Sequence, residues 1–195
     1  RLVGSEMCIR DSPVGLKGQI SYLTLAAYYR LFLGKILPTT IKKVLYLDCD
    51  IIVRHNLAEL WNIDIDDYAV GCVTDQYDGL IYPYNRLRYP QNLGYFNSGV
   101  LLVNLDYWRE NHLLEKFIDF LGKYPERALA FDQDVLNYVL RNKKKKLPLK
   151  FNVQCGFLCN KLDISWEYEE ELKEAISDPY VLSLIHISEP TRRRG

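Results

Sequence analysis

The segment Val44-Leu45-Tyr46-Leu47-Asp48-Cys49-Asp50-Ile51-Ile52-Val53 sets two carboxylates, one residue apart, between two apolar runs. The run before Asp48 has the unbroken apolar character of a strand buried on both faces, as in a sheet covered by helices. Residues i and i+2 of an extended chain point to the same side, so the spacing predicts that Asp48 and Asp50 act together. Leaving two uncompensated negative charges in a buried setting is very costly. A cation is therefore expected between them, and the oxygen-only donor set suits a hard divalent ion, Mn²⁺ or Mg²⁺.

A chain of 195 residues is long enough for one domain with a substantial core. Its 25 basic and 25 acidic residues cancel, which argues against nucleic acid as a partner. No apolar run approaches the roughly 18 residues of a membrane span. The five cysteines Cys8, Cys49, Cys72, Cys155 and Cys159 form no disulfide framework. Cys49 and Cys72 fall in expected core strands, which points to a reducing, cytoplasmic setting. Cys155 and Cys159 have neither a second pair nor a nearby histidine, so no zinc site is expected there. Residues 1–12 and 182–195 carry no periodicity and resemble translated sequencing-adapter read-through. Their exclusion leaves 13–181 as the natural segment, a partial domain cut at both ends.

Along that segment, Ser21 can cap a helix over 22–37 that is apolar nearly all round yet carries Arg30. A buried guanidinium requires an anion. Either a core carboxylate or a ligand diphosphate near the aspartate pair satisfies it. Ala69–Asp75 reads as a second buried strand ending in a carboxylate. Asp75 is then a ligand residue at a strand's carboxyl end or an Asx cap on the turn that follows. Residues 76–95 read as a long loop whose Tyr77, Tyr82, Tyr84 and Tyr89 suit sugar faces. Asn97, Ser98 and Gly99 open a strongly apolar strand. The amide offers both donor and acceptor, and the glycine admits close approach of a ligand or another backbone. Asp132 and Gln133 at the start of the next helix suit sugar hydroxyls, whereas Asp134 reads as a helix-terminal cap. Lys143–Lys146 read as a solvated run and Leu147–Gln154 as a return strand. A charged helix follows over 166–176, and His55 reads as a surface residue.

Taken together, Tyr28-Tyr29-Arg30-Leu31, Leu45-Tyr46-Leu47-Asp48-Cys49-Asp50, Phe96-Asn97-Ser98-Gly99-Val100-Leu101-Leu102, Asp132-Gln133-Asp134-Val135-Leu136-Asn137 and Phe151-Asn152 form an ordered series. A lone D-x-D is weak evidence, but the series covers about 20–155. It resembles the bacterial lipooligosaccharide galactosyl- and glucosyltransferases of glycosyltransferase family 8. The resemblance implies an α/β fold of the GT-A type, a mixed and mostly parallel sheet flanked by helices, incomplete here. It implies a retaining enzyme that moves galactose or glucose from UDP-galactose or UDP-glucose to a glycan or glycolipid hydroxyl, with Mn²⁺ or Mg²⁺. Asp48 and Asp50 would hold the metal, with Asp48 also near the donor ribose. Arg30, Asp75, Asn97, Ser98, Gly99 and Asp132 would hold the donor, and Gln133 would lie beneath the anomeric carbon.

Gln133 is a poor nucleophile because its amide oxygen is weakly basic, which favours front-face attack over a covalent glycosyl-enzyme. Two family features are absent. The uracil-binding first strand would precede residue 13, and no His-x-x-Gly-x-x-Lys-Pro-Trp follows Asp178-Pro179. His186 stands near that histidine's place but is not assigned. The chain as given is therefore expected to bind metal and donor poorly. Relatives often add a basic carboxy-terminal region, which implies peripheral contact at the inner membrane. Two other classes compete. A haloacid-dehalogenase-type phosphatase also opens on strand-D-x-D, but Ile52 stands where it takes Thr or Val. A non-catalytic carbohydrate-binding protein suits the tyrosines and leaves the Asp48, Asp50 and Arg30 combination unexplained.

Overall fold

The computed structural model describes residues 27–158 and 168–184. A four-stranded sheet runs in the order β1 (Lys43–Leu47), β4 (Phe96–Asn104), β3 (Val70–Thr74), β5 (Lys144–Lys146). Strand β4 is antiparallel to both neighbours, and β3 and β5 are parallel. Three of the four strands thus share one direction, and the sheet is mixed, as an α/β fold of the expected type requires. A second, two-stranded sheet pairs β2 (Ile51–Val53) with β6 (Val181–Ser183). The first residues of the segment read as a carboxy-terminal tail, Leu182 and Ser183, are therefore part of that pairing.

Strand periodicity explains the packing. Val44 and Tyr46, Val70 and Cys72, and Leu101 and Val103 face one core. That core is closed by α4 (Leu105–Glu110), α5 (Leu113–Lys123) and α6 (Phe131–Leu140). The alternate residues Leu45, Leu47, Val73 and Val100 face the other core, with Leu60, Leu147, Phe151, Phe157, Ala175 and Val181. These come from α2 (Ala58–Trp61), α7 (Cys155–Leu158), α8 (Glu169–Ser177), β6 and the connecting segments. Because both faces are covered, both sets of alternate positions are apolar, and the strands read as unbroken hydrophobic runs.

Several local readings need correction. Every residue of β1 is only partly buried, because it is the outer strand of its sheet among the described residues. It ends at Leu47, and Cys49–Asp50 form a turn whose Cys49 is exposed, so Asp48 and Asp50 do not sit together on one extended strand. The predicted helix over 22–37 is described from Ala27. It is a 3₁₀ turn, Tyr28–Phe32, running into α1 (Leu33–Ile36), and Ser21 lies outside the described residues.

Residues 76–95 are not an open loop. They contain α3 (Ile81–Leu87), and Tyr84, Tyr89 and Tyr95 are buried while Tyr77 and Tyr82 stay exposed. Asp78 organises this segment by accepting from Tyr84 Oη and the Tyr95 amide, contacts invisible to periodicity. Lys144–Lys146 are strand β5 rather than a solvated run. The Lys144 ammonium lies 5.2 Å from the Phe96 ring centre and donates to the Gly94 carbonyl at 2.5 Å. Charged edge strands of this kind resist unwanted pairing. Leu147–Gln154 is not a strand but a 3₁₀ turn, Leu149–Phe151, followed by a single bridge from Val153 to Leu182.

One irregularity positions everything that follows. Pairing of β1 with β4 stops at Leu47 opposite Val100, and the β3 ladder breaks between Cys72 opposite Leu101 and Thr74 opposite Phe96. Asn97 and Ser98 therefore belong to neither ladder, Gly99 keeps a bond from the Asp48 amide to its carbonyl at 2.9 Å, and side chains satisfy much of the backbone around them. Helix α6 supplies two of these side chains. The fully buried Asn137 donates Nδ2 to the Phe96 carbonyl and accepts from the Phe96 amide, both at 2.8 Å. One turn earlier, Gln133 reaches Ser98.

Replacing Asn137 with leucine strands both Phe96 groups, and chemical denaturation is expected to show a loss of about 2–4 kcal/mol. A second outcome follows from Lys144, whose amine burial lowers from 10.5 to about 8. Below pH 8 both states carry the charge and the fold bears the cost of burying it; between pH 8 and 10.5 the folded amine loses its proton first. Lys144→Met is expected to be more stable than the parent near neutrality by about 1–2 kcal/mol. That advantage should shrink through the same alkaline window.

Candidate functional site

The 3₁₀ turn of Tyr28–Phe32 carries Arg30 into the space between β1, β4 and α6. Its Nη2 lies 2.9 Å from Asp48 Oδ1, its Nε 3.0 Å from Asp132 Oδ2, and its Nη1 donates to the Ser98 carbonyl at 2.7 Å. The guanidinium also stacks on the Tyr46 ring, and Tyr46 Oη donates to Asp48 Oδ1 at 2.8 Å. Of the two anions open to Arg30 on sequence, the structure provides the core carboxylate, twice over. Arg30 is almost fully enclosed there, where its charge is little screened.

Asp132 is buried, and desolvation lifts its carboxyl to about 6 even though Arg30 pulls it down; the Asp48 charge adds to the rise. The Nε hydrogen of Arg30 is directed at the Ala27 carbonyl, so Asp132 Oδ2 has an ionic contact without a hydrogen bond. Among the described residues, four buried side-chain polar atoms lack a hydrogen-bond partner: Asp50 Oδ1, Asp132 Oδ2, Asn152 Oδ1 and Arg86 Nε. The first three belong to this region. Buried acceptors are normally satisfied, so their concentration here marks a place prepared for donors or a cation.

Asp75 follows the last residue of β3, and its reading as an Asx cap is observed directly. Its Oδ1 accepts from the Tyr77 amide at 2.9 Å, an Asx turn. Its Oδ2 accepts from Asn97 Nδ2 at 3.1 Å and Gln133 Nε2 at 3.0 Å. Burial raises its carboxyl above the ordinary value, and these bonds partly restore it. Asn97 Oδ1 in turn accepts from the Gly99 amide at 2.9 Å and Asn152 Nδ2 at 2.8 Å. Gln133 Oε1 accepts from the Ser98 amide at 3.0 Å and Ser98 Oγ at 3.3 Å. Gly99 is needed for closeness: a Cβ there would stand 3.0 Å from Asn97 Oδ1 and 3.3 Å from Asp48 Oδ2.

Arg30, Asp48, Asp75, Asn97, Ser98, Gly99, Asp132 and Gln133 are thus one hydrogen-bonded and ionic cluster. Asp50 is not tied into it by any described side-chain bond. Its carbonyl accepts from the Leu184 amide at 2.9 Å, while its Oδ1 is buried and unpartnered. That orphaned oxygen, with Asp48 Oδ2 facing the space over Gly99, fits a hard divalent ion. The described residues supply no group of three or more His, Cys, Asp or Glu able to hold one, so these two carboxylates would be the protein's share of the ligands.

Two readings change. Asp134 is a fully buried ion-pair partner rather than a simple helix cap. Arg86 of α3 grips both its oxygens, Nη2 at 2.9 Å, and Tyr95 Oη donates at 2.8 Å. The Ala130 amide, which bonds Asp134 at 2.5 Å, is the capping component. Cys49 lies exposed in the turn, not in a core strand. His55 is a surface residue, 2.8 Å from Asp178; Cys159 and His186 lie outside the described residues. Sequence reasoning missed Tyr46, although its i, i+2 relation to Asp48 was a usable signal. It also missed Arg86, which sat in a stretch read as loop and left none.

The architecture is the GT-A fold. A solved galactosyltransferase, LgtC, in complex with donor and acceptor sugar analogues, superimposes with a TM-score of 0.76 at 25% identity, over 90% of this chain and 62% of that one. The family model described as "Glycosyl transferase family 8" matches residues 11–186, and the chain belongs to that family. A putative glycosyltransferase of Haemophilus influenzae is 37% identical over 134 residues, 68% of this chain and 40% of the relative. A lipopolysaccharide 1,2-glucosyltransferase of Escherichia coli strain K12 is 32% identical over 128 residues, 65% of this chain and 38% of its own length. The chain thus spans less than half the length of these curated relatives. No described helix is long and apolar enough to cross a membrane.

Replacing Arg30 with glutamine leaves Asp48 and Asp132 facing each other without a cation. Urea denaturation at neutral pH is expected to show a loss of about 3–5 kcal/mol. The loss should be smaller near pH 5, where Asp132, titrating at about 6 even with Arg30 present, is protonated.

Proposed function

We propose that the protein is a retaining hexosyltransferase that moves galactose or glucose from a UDP-sugar to a hydroxyl of a glycan or glycolipid, with Mn²⁺ or Mg²⁺. The observation that carries this reading is the convergence of the Asp48, Asp75 and Asp132 carboxylates with the Asn97 and Gln133 amides beside unpartnered buried acceptors. Such a set suits a ligand that brings many hydroxyl donors and its own anionic group. A haloacid-dehalogenase-type phosphatase takes Thr or Val where Ile52 stands, which weighs against that reading.

In this reading Asp48 and Asp50 hold the ion, which when bound offsets the charge growing on the departing diphosphate. The chain's own residues prepare the rest. Arg30 fixes Asp48 and Asp132 in one orientation and keeps positive charge close to the leaving group. Asp132 and Asp75 accept hexose hydroxyls, and Asn97 offers an amide to them. Gln133 carries a weakly basic oxygen that already accepts two hydrogen bonds from Ser98, which favours front-face attack over a covalent intermediate. In that step the acceptor oxygen bonds the anomeric carbon as the bond to the diphosphate breaks, and the acceptor's proton passes to the departing phosphate.

The names of the lipopolysaccharide glucosyltransferase and of the solved galactosyltransferase support a hexose donor and a saccharide acceptor. A cytoplasmic setting with peripheral contact at the inner membrane completes the proposal, and the reduced Cys49 and Cys72 are consistent with it.

Calorimetric titration of UDP to millimolar concentration, with and without Mn²⁺, tests the reading. Metal-dependent binding is expected, weakened at least tenfold in an Asp48→Asn/Asp50→Asn variant. Binding that ignores the metal and survives both substitutions would overturn it.

A further inference from the structure

Asn152 has no part in the mechanism above, yet it is fully buried beside Asn97, and its Oδ1 is among the few unpartnered buried acceptors. Its surroundings determine which way its amide faces. Asp75 is a carboxylate and only accepts, so both Asn97 and Gln133 turn their NH₂ groups toward it, at 3.1 and 3.0 Å. Asn97 Oδ1 must then point away from Asp75, where it accepts from the Gly99 amide and from Asn152 Nδ2. Asn152 in turn has to present NH₂ to Asn97, because its own oxygen there would face another oxygen. The result is a directed series from Asn152 through Asn97 to Asp75, met from the other side by Ser98 and Gln133.

This series sits where β4 has left both of its ladders, so no strand partner holds Asn97 in place. The Asn97 side chain has two stable amide orientations, and only one bonds Gly99 and Asp75 together. We infer that Asn152 is a positioning residue that holds Asn97 in that orientation and so sets the hydrogen-bonding face offered to the hexose of the donor. The inference rests on the nucleotide-sugar reading and refines it: Asn152 acts on recognition of the sugar and leaves the nucleotide alone. Neither Arg30 nor Asp48 touches Asn152 by any described bond, which is why the two effects separate.

The experiment compares UDP with UDP-galactose and UDP-glucose in the presence of Mn²⁺, on the whole chain and on Asn152→Ala, Asn97→Ala and the double variant. Asn152→Ser replaces Asn152→Ala if the alanine form does not fold by circular dichroism. Asn152→Ala is expected to keep UDP affinity within about twofold while reducing the ratio of UDP-hexose to UDP affinity at least tenfold. The double variant should lose no more of that ratio than Asn97→Ala alone, because the first residue acts through the second. A residue that merely fills space would give additive losses instead, and additivity overturns the inference. So does an unchanged ratio, or an equal loss of UDP and UDP-hexose binding. Absence of UDP binding by the parent chain is a separate outcome that removes the nucleotide-sugar reading and this inference with it.

Discussion

The Arg30 guanidinium is the interaction on which the rest of the site depends. Three carboxylates, Asp48, Asp75 and Asp132, are drawn into one partly or fully buried region, and that gathering is unfavourable without positive charge. Arg30 stands between two of them and also takes the Ser98 carbonyl. One side chain therefore ties the end of β1, the freed part of β4 and the start of α6 into a unit. The compensation is incomplete by design of the geometry: Asp132 keeps an oxygen without a hydrogen bond and a carboxyl raised to about 6. A fully satisfied cluster would have no reason to bind anything.

The second constraint is the interruption of β4. Sheet ladders normally consume every backbone donor and acceptor, which would leave nothing for a ligand. Here the ladders on both sides of β4 lapse over Asn97 and Ser98, and at Gly99 a bond from the Asp48 amide to the Gly99 carbonyl remains. Side chains take over: Gln133 and Asn137 from α6, Asn97 itself, and Arg30. Gln133 and Asn137 stand one helical turn apart, and Ser98 and Phe96 two residues apart on the strand. These spacings are close enough for one helix to serve both positions. The cluster is thereby built at the place where regular structure stops.

Much of the site was legible because its residue types carry their chemistry openly. An acid after an apolar run, an amide and a glycine at the mouth of a strand, and an arginine on an apolar helix all ask for partners. For Asp48, Asn97, Gly99 and Arg30 those partners lie within one cluster, while Asp50 stays outside it. What was not legible depended on contacts distant in sequence. Asp134 read as a cap because its partner Arg86 lies 48 positions away, in a stretch without periodicity. Lys144–Lys146 read as solvated because charge suggests water, whereas their backbone completes the edge of the sheet and the Lys144 ammonium lies over the Phe96 ring. Asp48 and Asp50 were placed on one strand face, but β1 ends with its apolar run at Leu47, and a turn over Cys49–Asp50 follows.

The amino-acid sequence alone determined the fold class, the family and the identity of nearly every residue in the cluster, because hydrophobic periodicity and side-chain chemistry are local properties. Tertiary structure decided which carboxylate faces which cation, and which acceptors are left unpartnered. It also decided the direction in which Asn97, Gln133 and Asn152 turn their amides. Those outcomes depend on where a strand loses its neighbours and on how deeply each charge is taken from water, and neither can be read from one segment at a time.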